Sequence, residues 1–375
     1  MVPRLLLNEM CAKILSSGKV VILFGARQTG KTTLCNQVIE KLGLRTFMVN
    51  ADQAKYLAVF SGKDLDRMLS LTEGYEMLFI DEAHRIPDIG LNIKILHDEV
   101  PGLKILLTGS SSFELSQKVT EPLTGRKHVY QLYPVATCEL SSYMNAFEIN
   151  ETLEDTLIYG SYPEVFTAKN HQDKTEILEE ITNSYLFKDV LETTTIRYRF
   201  LLRDLLKLIA FQIGSEVSLH ELSKSLGISR ETVENYLRLM EESFIIYRLS
   251  GFSRNLRKEI SKLDKFYFYD LGIRNCLINN LNPLDTRNDH GQLWENFIIT
   301  ERLKYISYKK MKSSAYFWRT YTGAELDYVE EREGKLFGYE IKYKKDKARI
   351  PNAWKETYGG EYQLINKSNY LSFMT

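Results

Sequence analysis

Residues 20–34 read Val-Val-Ile-Leu-Phe-Gly-Ala-Arg-Gln-Thr-Gly-Lys-Thr-Thr-Leu. The first five form an unbroken apolar run, which predicts a strand buried on both faces. Gly25 to Thr32 then follows the pattern glycine, four residues, glycine, lysine, threonine. Lys31 to Leu42 has helical spacing and stops at Gly43. A glycine-rich turn between strand and helix lets backbone N–H groups curl around phosphate oxygens. The helix N-terminus adds its partial positive charge at the same place. The stretch therefore predicts an ATP cradle formed by Gly25, Ala26, Arg27, Gln28, Thr29, Gly30, Lys31, Thr32 and Thr33. Lys31 would reach the β- and γ-phosphates as a point charge, and Thr32 would offer its hydroxyl to magnesium.

The flanking sequence supplies the other parts that phosphoryl transfer needs. Met77 to Ile80 is a second apolar run, and it ends in Asp81-Glu82. Asp81 would support the magnesium, and Glu82 would orient and polarise the attacking water. Thr46 to Val49 and Lys104 to Leu107 read as further strands. After the latter come Thr108, Gly109, Ser110 and Ser111, a polar group that would contact the γ-phosphate or the water. Ser110 is the first choice and Thr108 the second; the alternative is that both cap the next helix. An arginine is expected to stabilise the developing charge. Arg126, presented by the Gly125 turn, is the best candidate, with Arg27 and Arg85 also near the site in sequence. It would act within its own chain or on a neighbour. Strands alternating with helices over the first 135 residues predict an α/β fold with a parallel sheet.

The chain has 375 residues, which suggests two or three domains at roughly 150 residues each. It is 44% hydrophobic and 26% charged, as in ordinary globular proteins. Cys11, Cys35, Cys138 and Cys276 form no CxxC pair, so neither a zinc ribbon nor a disulfide framework is indicated. No apolar run approaches the roughly 18 residues that span a bilayer, and the N-terminal leucines are too few for a signal peptide. The expected location is cytoplasmic, with no membrane partner. Net charge is zero, yet residues 251–375 hold 22 Lys+Arg against 16 Asp+Glu. Either this basic third faces a polyanion such as DNA, or it is a mixed, solvated surface.

Residues 138–212 have the leucine and aromatic spacing of helices. Residues 213–250 give a short helix, a turn at Gly227 and a helix opened by Ser229, an order like helix-turn-helix. The second helix carries Arg230 and Arg238 but also Glu231, Glu234, Glu241 and Glu242. Phosphates would repel it, so packing or a protein partner is favoured over DNA reading. From residue 264 a second α/β unit is expected: a strand over Lys265–Tyr269 and a helix over Gln292–Tyr305. Strands near Ala315–Tyr321, Glu325–Val329, Leu336–Tyr343 and Tyr362–Ile365 complete it. The expected units are 1–137, 138–252 and 253–375.

The cradle, the Asp-Glu strand end, the polar residue after the fourth strand and the helical region that follows together resemble the AAA+ ATPases. Asp81-Glu82-Ala83-His84 also spells a helicase box, but no second nucleotide-binding sheet follows it. More narrowly, the chain resembles a prokaryotic AAA+ family whose C-terminal domain is related to PD-(D/E)xK nucleases. The matching stretches are FGARQTGKTTL (Phe24–Leu34), LFIDEAHRIPD (Leu78–Asp88), KILLTGSSSFEL (Lys104–Leu115) and LTGR (Leu123–Arg126). FYFYDLGIRN (Phe266–Asn275), WENFIITERL (Trp294–Leu303) and GAELDYV (Gly323–Val329) follow in the family's order. The resemblance implies an ATPase core, a helical and winged-helix middle region, and a restriction-endonuclease-like α/β domain.

In that last unit Glu340 and Lys342 share one face of a strand. Asp327 and Glu340 on neighbouring strands would jointly hold magnesium, with Glu295 as an outer ligand. Lys342 would lower the pKa of metal-bound water or steady a phosphate. The set resembles the nuclease E…D…ExK pattern, with Leu326 where that family has proline. Lys342 to Arg349 adds positive charge beside Tyr343. Either the site cuts nucleic acid, or the fold is nuclease-like and inactive. Three functions follow: a magnesium ATPase coupled to nucleic acid or a protein partner, a slow nucleotide switch, or an ATP-gated nuclease. The sequence does not report whether the chain is a homo-oligomer.

Overall fold

All five side chains of β1 (Val20–Phe24) are buried, so neighbours must cover both its faces and both its edges. A computed structural model of the chain describes residues 2–109, 122–185, 199–254, 263–321, 323–344 and 347–375. In it β1 lies between β4 (Lys104–Gly109) and β5 (Lys127–Gln131), parallel to both. β3 (Met77–Asp81) pairs with β4 on one side and with β2 (Thr46–Asn50) on the other, again in parallel. The order is β2-β3-β4-β1-β5. This is the parallel α/β sheet expected from the sequence.

Alternation along β1 divides the covering helices. Val20, Ile22 and Phe24 face a core with Phe60, Met68 and Ile93, carried by helices Ala54–Ser61, Leu65–Thr72 and Ile89–Glu99. Val21 and Leu23 face Met10, Ile14, Leu34 and Val38, from helices Leu6–Ser16 and Lys31–Leu42. The C-terminal ends of β1, β3 and β4 open at one edge, the usual binding edge of an open α/β sheet.

A helical region follows, with helices at Ala146–Tyr159, Pro163–Thr167, His171–Glu180 and Arg199–Phe211. Next come β6 (Glu216–Val217), helices Leu219–Leu226 and Arg230–Glu242, and β7 (Ile246–Leu249). Gly227 ends the first of these helices at φ +65°, and the Ser229 side chain caps the second. The strand expected to open the third unit, β8 (Asp264–Phe268), instead pairs antiparallel with both β6 and β7. By pairing it completes the middle unit, so a boundary at residue 252 falls inside a sheet. Its apolar run is legible in the sequence, but its partners are not.

The last unit is a mixed sheet in the order β12-β11-β10-β9. Its strands are β9 (Ser314–Arg319), β10 (Glu325–Arg332), β11 (Lys335–Ile341) and β12 (Glu361–Ile365). Helix His290–Tyr308 packs against it. One core runs through both later units, from Leu205 and Leu237 to Trp294, Tyr328 and Tyr370. Among the described residues no helix is long and apolar enough to cross a membrane. The four cysteines are free, and three of them are buried.

Candidate active site

The turn between β1 and helix Lys31–Leu42 is shaped by backbone demands that its sequence meets. Gly30 takes φ +91° at the helix N-cap. A Cβ on Gly25 would lie 2.2 Å from the Leu132 carbonyl oxygen, so only glycine lets the loop pass the exit of β5. Gln28, not a glycine, also sits at φ +60°. Thr29 is fully buried and donates to the Ala26 carbonyl at 2.8 Å. The Lys31 ammonium donates to the Gly25 and Ala26 carbonyls, both at 2.9 Å. It therefore lies inside the loop, where phosphate oxygens would compete with those carbonyls. Arg27 and Thr33 flank the cradle, Thr33 exposed and Arg27 half-buried.

The acidic strand end meets this loop. The Thr32 hydroxyl donates to Asp81 at 3.0 Å to one carboxylate oxygen and 3.3 Å to the other. Thr108, at the end of the intervening β4, is completely buried. Its hydroxyl donates to Asp81 Oδ1 at 2.5 Å and accepts from the Glu82 N–H at 3.0 Å. Glu82 has φ +53°, a left-handed conformation that turns its side chain out of the strand direction. His84 Nδ1 lies 3.2 Å from its carboxylate. A hydroxyl and a carboxylate at this spacing form the hard-oxygen pair that magnesium prefers. Ser110, the first choice for a γ-phosphate contact, lies outside the described residues.

Arg126 is not brought to the cradle. Its carbonyl accepts from Val20 N–H at 2.9 Å, which fixes it where β5 and β1 begin. That is roughly 15 Å from the end carrying the loop, at about 3.3 Å per strand residue. Its guanidinium pairs with Asp98 at 2.8 Å. Stabilisation of charge by Arg126 within its own chain is therefore corrected by its place on the far edge of the sheet. Arg85 pairs with Asp52 beside the site.

The C-terminal residues do converge. A β-bulge between Leu326 and Val329 re-aims Asp327. Its carboxylate accepts from the Ile341 N–H at 2.7 Å and from the Lys342 ammonium at 3.2 Å. Lys342 also pairs with Glu340 at 2.8 Å, so the expected shared face holds. Glu295 accepts from the Tyr267 hydroxyl at 2.6 Å and lies 3.5 Å from Lys265. Burial, reinforced by Asp327, pushes Glu295 up to about 7 although Lys265 and Lys342 pull it down. The expected set of three metal-binding carboxylates does not form: among the described residues no three acidic, His or Cys side chains could hold a metal ion. The Lys342 ammonium already sits between Asp327 and Glu340, where a cation would go.

Sequence reasoning missed β5, whose Lys-His-Val-Tyr-Gln mixes polar and apolar residues instead of running apolar. It also missed the roles of Arg4, Tyr267 and Lys265, because a polar residue's partners distant in sequence leave no local signal.

With the geometry in place, comparison with known proteins adds three matches. Residues 17–141 match an AAA domain family, and residues 150–284 and 290–365 match two domains of unknown function, DUF8612 and DUF4143. An uncharacterized protein of Mycobacterium tuberculosis is 28% identical over 335 residues, covering 88% of this chain and 71% of its own. An uncharacterized protein of Methanocaldococcus jannaschii is 26% identical, covering 76% of this chain and 66% of its own. Among solved structures, the Walker-type ATPase of Pyrococcus abyssi superimposes with a TM-score of 0.51. It is 16% identical and covers 74% of this chain and 96% of that one, a likeness of fold alone. Together the AAA match and this fold support an AAA-type P-loop ATPase for the N-terminal unit.

Proposed function

We propose that this chain is a magnesium-dependent ATPase whose turnover is coupled to a partner, nucleic acid or protein. The observation that carries it is the meeting of Thr32 with Asp81, beside a lysine held inside a glycine loop. Thr32 and Asp81 would hold the magnesium, which when bound supplies positive charge to the β- and γ-phosphate oxygens. Lys31 binds the same phosphates as a point charge. Asp81 is oriented by Thr108. Glu82, turned by its left-handed backbone, takes the proton of the attacking water or aligns that water. Arg126 would serve a neighbouring copy, since a residue on the far edge reaches a site only across an interface.

The later units read as a winged-helix module and a nuclease-like domain. The three antiparallel strands that accompany helices Leu219–Leu226 and Arg230–Glu242 support the first. The pairing of Lys342 with both Asp327 and Glu340 supports the second. It also favours one rival reading, an ATP-gated nuclease, which requires Lys342 to yield its seat to a metal. Free cysteines fit a reducing, cytoplasmic setting.

The test is steady-state Mg-ATP hydrolysis with and without duplex DNA, using Lys31→Ala as the blank. Stimulation by DNA supports coupling to nucleic acid. A slow rate indifferent to DNA points to a nucleotide switch with a protein partner. DNA cleavage that requires magnesium and is lost in Asp327→Ala would establish the nuclease.

A further inference from the structure

Arg4, ahead of the first helix, has its guanidinium buried between three parts of the chain. Its Nη1 donates to the Thr29 carbonyl inside the glycine loop at 3.1 Å. Its Nη2 donates to the Tyr133 carbonyl, just past β5, at 2.6 Å and to the Tyr308 hydroxyl at 3.4 Å. Its Nε donates to the fully buried Glu139 carboxylate at 2.9 Å. Tyr308 ends helix His290–Tyr308 of the C-terminal unit. A single planar group thus joins the phosphate loop to a helix some three hundred residues away.

The same helix is docked on the ATPase unit by neighbouring contacts. Glu301 accepts from the Thr137 N–H at 2.5 Å and from Lys304 at 2.6 Å. Lys310, just past the helix, pairs with Glu9 of the first helix. The Tyr308 hydroxyl also accepts from the Tyr133 N–H at 3.3 Å. The loop itself is confined on both sides, by Leu132 against Gly25 and by Arg4 at Thr29.

We propose that Arg4 is a positioning residue that couples nucleotide occupancy of the loop to the seating of helix His290–Tyr308 through the Tyr308 hydroxyl. The inference rests on the ATPase reading. Lys31 must leave the Gly25 and Ala26 carbonyls to reach phosphates, so the carbonyl side of the loop changes partners when nucleotide binds. A guanidinium presents its donors in a rigid fork, so a shift at the Thr29 carbonyl is felt at Tyr133 and Tyr308. Linkage makes the effect reciprocal: what loosens Arg4 from Tyr308 changes nucleotide affinity, and nucleotide changes the protection of the helix.

The test uses the full chain. Tyr308→Phe keeps the ring that packs on Tyr133 at 5.7 Å and removes only the hydroxyl. The expected result is a KM for ATP raised about fivefold or more with kcat unchanged. In wild type, ATP should alter hydrogen exchange of residues 290–308, and in Tyr308→Phe it should not. Arg4→Lys keeps a cation opposite Glu139 but cannot span four acceptors, and should shift KM the same way. A fall in kcat with KM unchanged, as loss of folded protein would give, overturns the coupling. So does an unchanged KM in both variants, or exchange of the helix indifferent to ATP in wild type. Failure of wild type to bind ATP, with Lys31→Ala indistinguishable from it, overturns the ATPase reading itself.

Discussion

The Thr108 hydroxyl donates to Asp81 Oδ1 at 2.5 Å, and the Thr108 hydroxyl oxygen accepts from the Glu82 N–H at 3.0 Å. One buried side chain on the strand between the loop and the acidic pair therefore holds the Asp81 carboxylate and the Glu82 backbone together. A hydrogen bond to a charged group contributes roughly 1.5–3 kcal/mol, enough for a tenfold change in rate or more. Thr108→Val should lower kcat by about that tenfold while ATP affinity stays within about twofold. Thr108→Ser should recover most of the rate. Full kcat in the valine variant would remove Thr108 from the account.

Gly25 is constrained by space. An added Cβ at 2.2 Å from the Leu132 carbonyl meets backbone, which cannot swing aside. Overpacking of this kind destabilises by about 1–3 kcal/mol. Gly25→Ala should lower the thermal midpoint and abolish ATP binding together, as read by calorimetry and nucleotide titration. Gly74→Ala, with open space around its Cβ, should leave ATP binding intact. Normal ATP binding by Gly25→Ala would show that the loop is not held as described.

Arg126 on the far edge yields a mixing experiment. Arg126→Ala should bind ATP as wild type does, because it touches Asp98 and not the cradle. If it serves a neighbour, Arg126→Ala and Lys31→Ala chains, each inactive alone, should recover part of the hydrolysis when mixed. A mixture no more active than its components would leave Arg126 with a structural role only.

The middle unit carries a pH signature. Glu241 is pushed up to about 7 by burial, reinforced by Glu234 and Asp264, although Arg248 opposes the shift at 3.0 Å. A carboxyl whose folded pKa exceeds its unfolded value holds its proton longer in the folded state. Stability therefore falls as pH rises from about 4.5 to about 7 and is level above. The size is on the order of 2 kcal/mol after allowing for partial exposure. Urea midpoints across that window should fall in wild type and stay flatter in Glu241→Gln. Parallel profiles would contradict the assignment.

How much of this was legible beforehand follows physical lines. The strand-loop-helix at residues 20–42 and the Asp81-Glu82 strand end are local patterns, so sequence alone placed these elements. β8 was also visible as an apolar run, but a strand's partners depend on contacts distant in sequence, and its assignment to the third unit followed from chain order. Arg126 looked right because Gly125 presents it, yet which end of a strand bears the site depends on direction, not on spacing. Thr108 is only the second choice from sequence because the residue order does not show that its side chain is buried at the strand end. Lys342 and Glu340 were paired correctly from strand alternation, while the bulge that turns Asp327 toward them left no mark in the pattern.

The measurement that bears most directly on the central claim is ATP binding and Mg-ATP turnover in three chains: wild type, Lys31→Ala and Glu82→Gln. The account predicts that wild type binds and hydrolyses, that Lys31→Ala does neither, and that Glu82→Gln binds ATP tightly but turns it over at least about a hundredfold more slowly. Hydrolysis that persists in Lys31→Ala, or full turnover in Glu82→Gln, would contradict it.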